Sequence, residues 1–248
     1  MQLHDFFDQN QRIAIAYSGG VDSSYLLYAA KAAGCDARAY FIKSQFQPQF
    51  ELDDAIRFAA SVGAPLIVGT LDVVGEEKIA RNRDDRCYHC KTAILTKLWE
   101  LARADGFTVL CDGTNIDDSE SDRPGMRALR EQGVISPLRD HGLSKTEIRL
   151  LSKQAGLFTH SKPAYACLAT RIPTGSVITG EWLEIIERAE RTLFDLGFSD
   201  FRVRLAPPKG AKIQVPESQL KLIISRRNEI LAELKPDFDS IVLDLTLR

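Results

Sequence analysis

The feature that most narrows the fold is a regular alternation of short apolar runs with longer amphipathic ones. Residues 13–17 read IAIAY, a run with β-branched side chains that suits a strand covered on both faces. After a turn, SSYLLYAAKAAG (23–34) has Leu and Ala at helical spacing and stops at Gly34. ARAYFIK (37–43) predicts the next strand, ELDDAIRFAASVG (51–63) the next helix and PLIVGTLD (65–72) a third strand. A helix over about 91–104 then leads to TVLCDGT, a strand with its following loop. Strands joined through helices return to the same edge and pair in parallel, so the expectation is an α/β fold: an open parallel sheet with helices on both faces.

From about residue 172 the pattern changes. EWLEIIERAERTLFDLG (181–197) reads as a helix, FRVRLA (201–206) and AKIQVPE (211–217) alternate like strands, SQLKLIISRRNEILAEL is helical and SIVLDLTL closes as a strand. Two domains are expected, 1–171 and a smaller C-terminal α+β domain over 172–248, joined at RIPTGS. With 27% charged residues and a formal net charge of -2, the composition argues against a membrane or polyanion specialist. The opening MQLHDFFDQNQ has no basic-then-apolar leader, and no run approaches the roughly 18 apolar residues of a spanning helix, so a cytoplasmic protein is expected. Five cysteines, an odd number thinly spread, do not make a disulfide framework; thiols or metal thiolates are expected instead.

AYSGGVDSS (16–24) falls where the IAIAY strand hands over to a helix, at the carboxyl edge where open α/β sheets bind ligands. Gly19 and Gly20 let the backbone approach a ligand, while exposed amides and the hydroxyls of Ser18, Ser23 and Ser24 turn donors toward an anion at the helix N-terminus. This is a candidate phosphate cradle. No GxxxxGK[ST] is present, so it is not a Walker A loop; SGGVDSS resembles instead the PP-loop of the ATP pyrophosphatases. That resemblance implies a grip on the β and γ phosphates of ATP, with Asp22 helping to hold Mg²⁺. The plainer alternative is a tight glycine turn with a Ser/Asp cap. A second loop, CDGTNIDDSESDRPG (111–125), would emerge at the same edge, with Asp112, Gly113, Thr114 and Asn115 as candidate nucleotide contacts and Asp117 or Asp118 as metal helpers, or simply as a solvated acidic loop.

Cys35, after a helix-stopping glycine, and Cys111, at the end of an apolar strand, read as small buried hydrophobes. Cys87 and Cys90 differ: CxxC places two sulfurs within reach of one metal, and Arg86 and Lys91 beside them favour thiolates. Cys167 lies in the Pro-flanked KPAYACLATRIPTG, a segment expected to be loop, and can supply a third thiolate.

Together SGGVDSS, RCYHCK, DGTNIDDSESDRPGMRALREQGVISPL, GLSKTEIRLLSKQAGL and KPAYACLATRIP resemble the LarE family, ATP-dependent sulfur transferases of the PP-loop superfamily with an adenine nucleotide α-hydrolase-like sheet. The likeness covers the first domain and, more loosely, FRVR and AKIQV in the second. It implies adenylation of a carboxylate of pyridinium-3,5-biscarboxylic acid mononucleotide, release of pyrophosphate and formation of the thiocarboxylate precursor of the nickel-pincer cofactor. A homo-oligomer and sulfide or another sulfur donor as partner are expected, and no nucleic acid, since the overall charge balance is acidic. Members with only the cysteine matching Cys167 give up its sulfur and keep dehydroalanine; members with all three, as here, resemble forms in which Cys87, Cys90 and Cys167 carry a 4Fe-4S cluster. Asp22 and these three cysteines are then the catalytic set. Arg202 and Arg204, two apart on a strand and so on one face, and Arg171 become candidates for the substrate phosphate, with ordinary charged pairing as the alternative. The chain departs from the family pattern after RVR, where Pro-Pro and Lys212 replace an expected histidine turn and arginine. Zinc held with His89 or another histidine, direct sacrifice of Cys167, tRNA thiolation and a non-catalytic nucleotide or cluster binder stay open as alternatives.

Overall fold

The computed structural model describes residues 3–118 and 124–246, so the 119–123 part of the acidic loop lies outside the described residues. In chain order the elements are α1 (Leu3–Gln9), β1 (Arg12–Ala16), α2 (Val21–Ala32), β2 (Asp36–Lys43), α3 (Gln49–Ser61), β3 (Leu66–Thr70), α4 (Glu77–Ala80), α5 (Arg86–Ala104), β4 (Leu110–Asp112), α6 (Pro124–Glu131), α7 (Pro137–Asp140) and α8 (Lys145–Gln154). There follow α9 (Gly180–Asp195), β5 (Arg202–Ala206), β6 (Gly210–Gln214), α10 (Leu220–Ser225), α11 (Arg227–Leu234) and β7 (Ser240–Leu243). They form two compact units, Met1–Val73 with Asp85–Lys162, and Val74–Asp84 with Pro163–Arg248. No described helix is long and apolar enough to cross a membrane.

The first unit is an α/β layer structure on a four-stranded parallel sheet in the order β3-β2-β1-β4. Its strands are apolar almost throughout because successive side chains feed two cores. Ile13, Ile15, Ala39 and Phe41 pack with Leu26, Leu27, Phe58 and Ile148 of α2, α3 and α8 on one face. Ala14, Tyr40 and Ile42 pack with Leu95, Leu98, Ala102 and Leu129 of α5 and α6 on the other. Burying one such large apolar side chain contributes roughly 1.5–3 kcal/mol, so a one-residue slip of register would be opposed by both cores together. Chain order runs outward from β1 to β3 and then jumps back to β4 on the other side of β1. The jump opens a crevice at the carboxyl ends of β1 and β4, the place where such sheets bind ligands.

Two local expectations shift. The helix expected from about residue 91 begins at Arg86 and takes RCYHCK into its first two turns; Asp85, a residue type that often starts helices, stands at its N-cap without a side-chain capping bond. The N-terminal residues, left without structure by the sequence reading, form α1, whose Phe6 and Phe7 are buried in the first core.

The second unit has a three-stranded sheet, β5-β6-β7, with β5 antiparallel and β7 parallel to β6. The helix expected over 218–234 is two, α10 and α11, meeting at Arg226. Residues 163–171, placed by sequence with the first domain, and 74–84 belong to this unit. Hydrogen bonds say why: buried Asn82 donates to the carbonyls of Ile172 and Pro173, and Arg202 and Arg204 donate to those of Ala164 and Thr170.

α8 begins with a capping box in which Ser144 and Glu147 satisfy each other's backbone amides. Ser144→Ala should lower stability by about 1 kcal/mol in chemical denaturation, with an unchanged denaturant slope.

Candidate active site

The loop after β1 is shaped by its own hydroxyls. Gly19 sits at φ 74°, and a Cβ there would meet the Glu51 carbonyl oxygen at 3.1 Å, so the turn needs glycine. Ser18 Oγ lies 3.1 Å from Ser23 Oγ, and the amide of Gly20 donates to Ser18 Oγ at 3.4 Å. Ser24 is fully buried with its hydroxyl 3.1 Å from that of Tyr17, so it holds the loop from beneath and does not line the cavity. Lys162, nearly buried, donates to the Gly19 carbonyl at 3.2 Å and pairs with Glu51 and Asp54 on α3. Burial pushes the Glu51 carboxyl up, and the Lys162 ammonium works against that shift.

The loop after β4 presses directly on this turn. A Cβ on Gly113 would lie 2.6 Å from the Ser23 nitrogen, a distance no side chain tolerates, so the two loops touch backbone to backbone. Asp112 is 4% exposed and spends its carboxylate on loop geometry: it accepts from the Thr114 amide, from Thr114 Oγ1 at 2.6 Å and from Ser136 Oγ at 2.7 Å. Asn115 donates to Asp22 Oδ1 at 3.4 Å, and Lys145 at the start of α8 pairs with Asp22 Oδ2. Asp117 accepts from the Lys145 amide, whereas Asp118 faces the cavity, so the two carboxylates left equivalent by sequence have different work.

Between the loops lies a cavity of about 300 Å³ lined by Ser18, Asp22, Ser23, Gly113, Thr114 and Asp118, with Lys91 of α5 on its wall. The α2 N-terminus has no side-chain cap, which leaves its first amides for an anion. Hydroxyls, amides and lysines suit polyphosphate, and Asp22 with Asp118 supplies the hard oxygen donors that fit Mg²⁺.

Cys87 and Cys90, three residues apart on the first turn of α5, share one helix face; Cys87 is exposed and Cys90 half-buried. Arg86 Nη2 lies 3.6 Å from Cys87 Sγ and donates to it. His89 points elsewhere, with Nε2 3.2 Å from Asp85 Oδ2. Cys35 and Cys111 are buried, and burial pushes both thiols up. Among the described residues, no three His, Cys, Asp or Glu side chains are gathered so as to hold a metal ion.

Cys167 belongs to the second unit, half-buried before the 3₁₀ turn Leu168–Arg171. The arginines named for a substrate phosphate are occupied differently. Arg171 is 1% exposed and forked onto Glu190, with Nε–Oε1 at 2.7 Å and Nη2–Oε2 at 3.1 Å, a buried ion pair that takes up the face a phosphate would need. Arg202, 4% exposed, donates to the Phe201 and Ala164 carbonyls, and Arg204 to Gln214 Oε1 and the Thr170 carbonyl. As expected from their spacing, Arg202 and Arg204 project together, but onto main-chain oxygens and the Gln214 side chain. Sequence reasoning passed over Lys145, Lys162 and Glu190; the S-x-x-E of SKTE would have put Lys145 at a helix start, while nothing local marks the other two.

No family profile matches the chain. It is 30% identical to the pyridinium-3,5-bisthiocarboxylic acid mononucleotide synthase of Lactiplantibacillus plantarum, over 95% of this chain and 86% of that protein. The chain belongs to the LarE family. Other matches are an uncharacterized protein of Synechocystis, 35% identical over 98% of this chain and 92% of that protein, and one of Methanocaldococcus jannaschii, 31% identical over 96% and 91%. The tRNA-specific 2-thiouridylase MnmA of Pseudothermotoga lettingae is 30% identical over 61% of this chain and 54% of that protein, in keeping with a PP-loop α/β fold.

Gly113→Ala should weaken ATP binding at least about tenfold by calorimetry, since the added methyl must push the two loops apart.

Proposed function

We propose that this LarE-family chain is an ATP-dependent sulfur transferase that converts a carboxylate of pyridinium-3,5-biscarboxylic acid mononucleotide into a thiocarboxylate for nickel-pincer cofactor biosynthesis. The observation behind this reading is the polyphosphate-suited cavity where the loops after β1 and β4 meet, with CxxC helix α5 contributing Lys91 to its wall. The L. plantarum relative, a bisthiocarboxylic acid mononucleotide synthase by name, supplies the substrate class.

A carboxylate does not exchange oxygen for sulfur unaided, because oxide is too poor a leaving group. In the proposed reaction a carboxylate oxygen attacks the α phosphorus of ATP and pyrophosphate leaves, giving an acyl adenylate. A sulfur nucleophile then adds to the acyl carbon and AMP departs. The Ser18 and Ser23 hydroxyls, the first amides of α2 and the Lys91 and Lys145 ammoniums stabilise charge growing on pyrophosphate; a well-placed donor of this kind contributes roughly 3 kcal/mol. Asp22 and Asp118 would hold Mg²⁺, which when bound neutralises phosphate charge. Lys145 holds the Asp22 carboxylate in its aim.

For the sulfur, Cys87, Cys90 and Cys167 would ligate a 4Fe-4S cluster, which when bound offers an iron without a protein ligand to carry sulfide. The Cys87–Cys90 pair, on one helix face with Arg86 at its sulfur, suits two of those ligands. A second reading, direct loss of sulfur from Cys167, draws on that half-buried thiol alone and needs no cluster. The proposed substrate is a small molecule, not tRNA, since a net charge of -2 lacks the surplus that phosphate neutralisation demands. A homo-oligomer in the cytoplasm, supplied by sulfide or another sulfur donor, completes the proposal.

Anaerobically purified protein given ATP, Mg²⁺, sulfide and the biscarboxylate mononucleotide should form AMP, pyrophosphate and a thiocarboxylate in equal amounts; AMP formation without thiocarboxylate would refute the sulfur step. Asp22→Asn should lower kcat by about a hundredfold. Iron and acid-labile sulfide that vanish in Cys87→Ser would establish the cluster. Metal-free turnover with dehydroalanine at the Cys167 peptide would establish direct transfer.

A further inference from the structure

The segment bearing Cys167 is irregular, yet its main chain is tied down on both sides of the thiol. Arg202 Nη2 donates to the Ala164 carbonyl at 2.7 Å, Arg171 Nη1 to the Ala166 carbonyl at 3.1 Å and Arg204 Nη1 to the Thr170 carbonyl. The Cys167 carbonyl itself accepts from the Thr170 amide at 3.0 Å and from Thr170 Oγ1 at 2.8 Å, and the same hydroxyl receives Arg171 Nη1 at 2.7 Å. The Tyr165 ring stacks under two of these guanidiniums, with Arg171 4.6 Å and Arg202 5.1 Å from its centroid.

These ties share one support. Glu190, 2% exposed in the middle of α9, receives Arg171 Nε and Nη2, the Val203 amide of β5 at 2.9 Å and the Tyr165 hydroxyl. One carboxylate thus joins the helix, the strand and the cysteine segment, and orients the guanidinium that reaches Ala166 and Thr170. A carboxylate is expensive to bury, and its oxygens here are spent on fixing the Cys167 segment.

We propose that Glu190 is a positioning residue for the Cys167 sulfur, acting through Arg171 and Tyr165, and that Arg202 and Arg204 serve the same loop. The proposal rests on the reading of Cys167 as a sulfur-transfer residue, but its structural core does not need that reading. A Gln side chain would set an NH₂ against an Arg171 N–H whichever way it is turned, and in one orientation against the Val203 amide as well, so Glu190→Gln should break the fork while keeping the volume of the core.

The test measures hydrogen–deuterium exchange of the 164–171 peptide, the rate of Cys167 carbamidomethylation by iodoacetamide, ATP binding and sulfur transfer, in wild type, Glu190→Gln and Tyr165→Phe. For Glu190→Gln we expect exchange in 164–171 at least tenfold faster, with the first unit's peptides and ATP affinity unchanged, an altered Cys167 alkylation rate, and a sulfur-transfer kcat at least tenfold lower at constant KM for ATP. Tyr165→Phe, which removes one hydroxyl, should shift the same quantities in the same direction by less, and it serves alone should Glu190→Gln not fold. Unchanged exchange and alkylation at Cys167 in a folded variant would overturn the proposal. So would an exchange increase spread evenly over the second unit, the mark of a merely structural carboxylate. If the wild type transfers no sulfur while the local loosening still occurs, the positioning stands and the transferase reading falls.

Discussion

The site depends on one close approach: the backbone of Gly113 against that of Ser23. β1 and β4 are neighbours in the sheet but distant in the chain, and their following loops can meet only if neither puts a side chain at the contact. Glycine at 113 permits the approach, and the fixed register of the two strands sets its position. From it follow the cavity, the aim of Asp22 between Asn115 and Lys145, and the placing of Asp118 at the rim. The two cores below, one on each face of the sheet, hold both strands rigid enough for a contact of this kind to persist.

Buried charge is the second organising element, and it is used for orientation more than for stability. Lys162 ties the Gly19 turn to α3 through Glu51 and Asp54, and Arg171 with Glu190 braces the Cys167 segment in the other unit. Removing one partner of a buried pair would leave the other uncompensated at a cost of about 3–5 kcal/mol, whereas an apolar replacement of both is often neutral. Such pairs make sense where a polar backbone segment must be held in one irregular conformation. Both of these hold a segment of that kind.

Much of this was legible in the residues. The strand periodicity, SGGVDSS and the second loop located the sheet and its ligand edge, because local pattern and turn chemistry act within a few residues. CxxC was legible as a pair, although its helix began earlier than expected, at Arg86 with Asp85 as N-cap. The arginines were read correctly as sharing a face and incompletely as to what they meet. Exposure of a strand residue depends on what packs over it, and α9 with its Glu190 is separated from β5 by a turn that spacing alone does not orient.

The amino-acid sequence by itself determined the α/β class, the order of the strands along the chain, the glycine turns and membership of the LarE family, all properties carried by contiguous residues. Only the tertiary structure decided that Asp117 caps a helix while Asp118 faces the cavity, that Lys145 meets Asp22 across 123 positions of chain, and that residues 163–171 pack with the second unit. The physical reason is the same in each case: a charged or polar side chain takes the partner that burial brings within about 3 Å, and burial is settled by the whole fold.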